Sequence, residues 1–288
     1  MSEHPIIGVI GGSGLYSMAG LSNIQEHQPS TPFGETSTPI IVGVLEGKKV
    51  AFLSRHGIGH TINPSKVNYR ANIYALKALG VKWILSVSAC GSLQEEYAPG
   101  HIVVPDQVFD HTKNRTYTFF DEGPVVHVGV ADPFCEKLSG QLYKAIKDTG
   151  VTVHQGGTSI TIEGPRFSTK GESRIYRSWG LSLINMTSSP EAFLAREAEM
   201  CYAVMNHVTD YDVWHETEEP VSVEQLIDTL MKNTEVAQDA IRNLVAAFNP
   251  EEECEHHDAL ASALITDPSR ISPEQLKRLS LLVGKYYK

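Results

Sequence analysis

The chain has no apolar run approaching the roughly 20 residues needed to cross a bilayer. Its first residues, MSEHPIIGVIGG, lack a basic segment followed by a long apolar one. Cysteine is scarce: Cys90, Cys135, Cys201 and Cys254 are far apart and form no CxxC pair, which fits reduced thiols. These absences read as a soluble, cytoplasmic protein. Positive charge is also short, with 24 Lys and Arg against 34 Asp and Glu and a net charge of −10. A nucleic-acid or anionic-membrane face is therefore excluded as the main business, although a local cationic pocket for a small anion is not. There is no internal repeat and no low-complexity segment.

What is present is enough apolar material for a sizeable core, 41% of 288 residues. Strand-type runs occur at Ile6–Ile10, Ile40–Leu45, Val50–Ser54, Trp83–Ala89, Ile102–Val104, Ser159–Ile162, Leu183–Ile184 and Tyr202–Val208. Helical spacing covers Asn68–Leu79, Pro133–Asp148, Lys170–Trp179, Glu191–Met200 and Val221–Phe248. The alternation indicates an α/β fold, a single domain over 1–250 with a mixed central sheet flanked by helices. A linker-like shift at Asn249-Pro250-Glu251-Glu252-Glu253 precedes a helical C-terminal extension, 251–288, expected to pack on the domain. Its second helical pattern opens with Ser272-Pro273-Glu274-Gln275, an N-cap serine with a glutamine reaching back. Cys254, His256 and His257 read as an exposed polar loop rather than a metal site.

Candidate site residues gather after the strands, because ligands of such sheets bind at strand carboxyl ends. Ile6–Ile10 runs into Gly11-Gly12-Ser13-Gly14, where backbone N–H groups can approach an anion, or which is simply a tight turn. The turn fails the dinucleotide fingerprint, with Ser17 at the third glycine position, and lacks the GK[ST] of a P-loop. Arg55 and His56 follow a second strand; Arg55 either clamps a phosphate in bidentate fashion or pairs with a surface acid. Ser88 and Asn185-Met186-Thr187 follow two more. Phe167, after a Gly-Pro turn, either stacks on a flat ligand or fills the core. Asp210 and Asp212 end the strand at 202–208. If the chain stays extended they point to one side, roughly 6–7 Å apart at the backbone, and the drier carboxyl has a raised pKa. Otherwise they belong to a solvated turn.

GGSGL at 11–15, SRHGIGHTINPSKVNYRANIYAL at 54–76, SACGSL at 88–93, IEGPRFST at 162–169, INMTSSPE at 184–191 and TDYDVWHETEEPVSV at 209–223 resemble the methylthioadenosine phosphorylases, a branch of the trimeric purine nucleoside phosphorylases. The similarity runs in register from about Gly8 to Phe248. It departs where many members have Thr and this chain has Ser13 and Ser88, both of which keep a hydroxyl. The resemblance implies phosphate binding by Ser13, Arg55, His56, Ser88, Ala89 and Thr187, and ribose on Met186. It places the base near Phe167, with its N7 and amino edge at Asp210 and Asp212, and counts Ile184 and Asn185 among the substrate-binding residues. Ser168, Val221 and Val223 are implied in specificity, Asp210 as the acid. Inorganic phosphate is the co-substrate, so no metal or organic cofactor is implied. A homotrimer or dimer of trimers is implied, and no nucleic-acid or membrane partner. Phosphorolysis of a 6-oxopurine nucleoside, a nicotinamide-dependent oxidoreductase and a non-catalytic binding protein are the competing readings.

Overall fold

A computed structural model describes residues 4–215 and 223–287 of the chain. In the N-terminal half, β1 (Ile7–Gly11), β2 (Ser22–His27), β3 (Ile40–Leu45), β4 (Lys48–Ser54), α1 (Tyr69–Ala78), β5 (Trp83–Ser92), β6 (Ile102–Val104) and β7 (Gln107–His111) follow one another. Then come α2 (Glu136–Lys147), β8 (Val153–Gln155), β9 (Thr158–Ile162), α3 (Lys170–Ser178), β10 (Leu183–Asn185), α4 (Ser188–Glu197) and β11 (Cys201–Asp210). After these lie α5 (Val223–Ala247), α6 (Pro273–Arg278) and α7 (Ser280–Val283). The fold is α/β, with one mixed sheet between helical layers.

Period-two burial builds the two layers. Ile10, Tyr202 and Val204 face a cluster shared with α1 and α4, whereas Val9, Ala203 and Met205 face one shared with α2 and α5. Because both faces are covered, the central strands read as continuous apolar runs. Helix ends follow local chemistry. Asn68 caps α1 by accepting from the Ala71 amide, and Gly80 ends it at φ +92, in the left-handed region glycine favours. Thr169 with Glu172 and Ser272 with Gln275 form capping boxes at α3 and α6.

The sheet runs β2-β3-β4-β1-β5-β10-β9-β7 and forks at β5, which also pairs along its length with β11, itself joined to β6 and then β8. β1, β4 and β11 run parallel to their neighbours at the centre, Gly11 beside Ser54 and Asp210 beside Gly91. β10 runs antiparallel to the last part of β5, so its carboxyl end, Asn185, turns back toward the middle of that strand. One-edge convergence, expected from sequence, is thus achieved by different routes.

The short or exposed strands β2, β7 and β8 have no apolar run to announce them, and α4 begins at Ser188, three residues ahead of the expected Glu191. The stretch after Pro250 differs more. Leu260, Leu279, Leu282 and Val283 join the cluster of α1 and α4. The loop read as exposed at Cys254, His256 and His257 is corrected: His256 is buried, and the Cys254 Sγ lies 3.6 Å from that of Cys135. The partners that bury it come from distant parts of the chain, where spacing carries no signal.

Candidate active site

The strand ends enclose a cavity of about 650 Å³ lined by Gly11, Gly12, Gly14, Arg55, His56, Ser88, Ala89, Met186, Thr187, Asp210 and Asp212. Ile184, Asn185, Phe167 and Ser168 also line it, as does α5 through Asn233, Thr234 and Ala237. Val221 lies outside the described residues, as do the side chains of Ser13 and Val223.

Arg55 departs from expectation. Its Nε and Nη2 donate at 2.8 Å to both oxygens of Glu191, and Nη2 also donates to Ser86 Oγ at 2.6 Å. Nη1 donates to the Val87 carbonyl. The fork imagined for phosphate therefore holds a fully buried carboxylate, which also accepts from the Tyr202 hydroxyl. Burial alone would lower the guanidinium pKa, but Glu191 more than offsets it and raises it. Four of the five N–H groups are committed, leaving one on Nη1 for the cavity. Sequence reading missed Glu191, Ser86 and Tyr202. Only the SSPE motif containing Glu191 hinted at a role.

Beside Arg55, the His56 Nδ1 lies 2.9 Å from the Ile62 carbonyl. That contact makes Nδ1 the N–H donor of the neutral ring and leaves Nε2 an acceptor. Burial, then the Arg55 charge, lowers the ring's pKa to about 4. Ser88 Oγ and Thr187 Oγ1 lie 3.2 Å apart. Asn185, expected at the substrate, has its amide saturated: Nδ2 donates to Ser159 and Ser188 hydroxyls, and Oδ1 accepts from Thr161 and from the Thr187 and Ser188 amides. It lines the cavity but acts by fixing the turn that carries Met186 and Thr187.

At the opposite end, Asp210 and Asp212 do converge, by a different route from strand alternation. Asp212 leaves the extended conformation at φ +53, and its amide donates to Asp210 Oδ1 at 2.7 Å, a side-chain-closed turn. Burial raises both pKa values. For Asp210, bonds from the Thr209 hydroxyl and the Asp212 amide oppose the rise; for Asp212 the nearby Ser173 hydroxyl opposes it, the Asp210 charge adds to it, and Ser168 opposes it further. Thr209 Oγ1 reaches both Asp210 Oδ2, at 2.5 Å, and the Cys90 carbonyl, so it can serve the carbonyl when Asp210 carries a proton. Both ring nitrogens of His207 are buried with no hydrogen-bond partner among the described residues, and Asp212 Oδ2 has the Ser168 and Ser173 hydroxyls nearby but none in hydrogen-bond geometry. His207, missed in the sequence because it sits inside an apolar strand, is held neutral by burial, with a pKa lowered to about 4.

Gly91 makes this end possible. A Cβ there would lie 2.9 Å from Ile184 Cγ2 and 3.0 Å from Asp210 Oδ1. The wall is the loop Ile162–Ser168. Buried Arg115 donates to the Glu163 and Ser189 carbonyls, and the Glu163 carboxylate accepts from the Lys113 and Asn114 amides. Phe167 is 55% exposed at the cavity rim, which rules out the core-filling reading.

A mixed α/β sheet whose strand ends hold a buried cation and hydroxyls at one end, and two buried carboxyls with raised pKa values at the other, makes a cavity suited to a small ligand with an anionic and a basic part. Residues 6–248 match the family model described as Phosphorylase superfamily. An S-methyl-5'-thioadenosine phosphorylase of Geobacter sulfurreducens is 51% identical, with 98% of this chain and 99% of the relative covered. One of Chloroflexus aurantiacus is 52% identical, with 98% of each chain covered. Among solved structures, a methylthioadenosine phosphorylase from an antarctic soil metagenomic library superposes with a TM-score of 0.93 at 47% identity, covering 98% of this chain and 99% of that one. The Schistosoma mansoni enzyme in complex with adenine gives 0.83 at 36% identity, covering 90% and 96%. The chain belongs to the phosphorylase superfamily.

Proposed function

We propose that the chain catalyses phosphorolysis of S-methyl-5'-thioadenosine to adenine and 5-methylthioribose 1-phosphate. One observation carries this reading: two buried carboxyls with raised pKa values share a cavity with a buried arginine and a hydroxyl pair. Phosphate sits against the free N–H of Arg55, the Ser88 and Thr187 hydroxyls, the Ala89 backbone and Ser13. His56 Nε2 accepts a phosphate O–H. The ribose lies on Met186, with the base between Phe167 and Ile184. As the glycosidic bond breaks, the sugar gains oxocarbenium character that the adjacent phosphate stabilises, and the leaving adenine gains negative charge at N7. Protonated Asp210 supplies a proton there, while Asp212 Oδ2 accepts from the amino group. Phosphate is the nucleophile, so the reaction asks for no metal or organic cofactor.

Adenine offers an acceptor beside a donor, matching one protonated and one ionised carboxyl. A 6-oxopurine offers two acceptors and leaves Asp212 facing an oxygen. At the ribose end, apolar Val221 and Val223 suit a methylthio group, whereas a 5'-hydroxyl is buried unpaired at about 1–3 kcal/mol. Specificity constants should favour methylthioadenosine over adenosine by roughly 10- to 100-fold and over inosine by more. Equal or better use of inosine sinks the adenine assignment; a preference for adenosine sinks that of the valines.

We further propose a homotrimer, for which the exposed neighbours Phe109 and Trp179, with ring centroids 5.8 Å apart, and Ile175 offer an apolar face. One phosphorylase domain to about residue 250 carries the C-terminal extension, in keeping with the matched span. The four free cysteines suit a reducing cytoplasm, and no helix among the described residues is long and apolar enough to cross a membrane.

A further inference from the structure

Away from the cavity, Cys135, Cys201, Cys254 and His256 each bring one ligand atom into a group whose members all lie within 4.8 Å of one another. They come from three distant stretches: the residue before α2, the first residue of β11, and the start of the C-terminal extension. Three sulfurs and an imidazole are a ligand set for zinc, whose tetrahedral bonds to sulfur of about 2.3 Å separate neighbouring sulfurs by about 3.8 Å. The Cys135 and Cys254 Sγ atoms are 3.6 Å apart, close to that spacing and well beyond the roughly 2.05 Å of a disulfide.

The surroundings suit thiolates. The Leu138 amide at the start of α2 donates to Cys135 Sγ, placing that sulfur at a helix N-terminus, and the His257 Nε2 lies 3.6 Å from Cys201 Sγ. The Leu138 N–H···S contact orients and stabilises a metal-bound sulfur. A zinc with three thiolates carries one net negative charge. The guanidinium of buried Arg196 donates to the Gly129 and Asp132 carbonyls rather than to a carboxylate among the described residues.

We propose that Cys135, Cys201, Cys254 and His256 bind a structural zinc ion that fastens the C-terminal extension to the α/β domain. None of the four lines the cavity, so the metal acts on stability and not on the reaction. Full-length protein purified without chelator should carry about one zinc per chain by elemental analysis, and cobalt substitution should produce sulfur-to-cobalt charge transfer with tetrahedral ligand-field bands. Chelation should lower the melting midpoint by about 5–10 °C, reversibly with zinc but not with magnesium. Cys254→Ser and His256→Gln should lose stoichiometric zinc while keeping phosphorolysis within about three-fold, as expected for residues remote from the reacting atoms. Metal-free wild-type protein unresponsive to added zinc overturns the proposal. So does retention of zinc by both variants, or a Cys135–Cys254 disulfide found by mass spectrometry without reductant.

Discussion

The two ends of the cavity are built on opposite principles. At the proposed phosphate end most polar groups already have a protein partner: Arg55 is locked on Glu191, Asn185 is saturated, and His56 is tied to Ile62. At the proposed base end Asp212 Oδ2 and Ser168 Oγ are buried without a hydrogen bond among the described residues. The first arrangement fixes geometry in advance, so that a mobile anion meets donors that need no reorganisation. The second leaves desolvated polar atoms that only a complementary ligand satisfies, and that is where discrimination is strongest, because a mismatched ligand leaves them unpaired.

The sharpest break in this comparison is Asp210→Asn. It keeps the shape of the base end but removes the transferable proton, and turnover should fall by about 10²–10⁴ while the phosphate KM changes little. Burial raises the Asp210 pKa, and in the proposed reaction the protonated form is the active one, so wild-type activity should decline as pH rises through that pKa and the variant should lose this limb. Wild-type turnover in the variant would remove Asp210 from the reaction.

Glu191→Gln tests the pre-wired end. It leaves Arg55 buried without its counter-charge, and breaking such a pair costs about 3–5 kcal/mol of stability, measurable by urea unfolding. Arg55→Lys should retain part of the stability, because one ammonium still meets Glu191, yet raise the phosphate KM markedly, since the fork that orients the remaining N–H is gone. An unchanged phosphate KM would make Arg55 a purely structural cation.

The smallest expected effect is Gly91→Ala. The added methyl meets Ile184 and Asp210 at 2.9–3.0 Å, so repacking should cost about 1–3 kcal/mol. The loss should fall on kcat through the displaced Asp210 rather than on phosphate binding. A rise in phosphate KM with kcat intact would show that the two ends are mechanically coupled.

Much of the site was legible because its residues follow strands, and strand ends carry their own punctuation of glycine, hydroxyl and charge. Asp210 and Asp212 do meet in the cavity, but not by the two-residue alternation expected of an extended chain: Asp212 adopts a left-handed turn closed by its own amide on Asp210. Arg55 was found and its partner was not, since nothing local says that a glutamate 136 residues later will occupy the guanidinium. β2, β7 and β8 escaped because edge strands need no apolar run, and His207 because a polar residue within a buried strand breaks no pattern.

By itself the sequence determined the helices with their caps, the apolar strands of the sheet's centre, the glycine-rich approaches and the types of group available at the strand ends. These depend on periodicity and on hydrogen bonds within a few residues. Only the tertiary structure decided which of those groups are already satisfied and which still wait for a partner. It alone bound Arg55 to Glu191, left Asp212 Oδ2 open, and brought Cys254 and His256 against Cys135 and Cys201. The pairing of a buried polar group is fixed by distance through space, and residues far apart along the chain meet only when the sheet and its helical layers close around them.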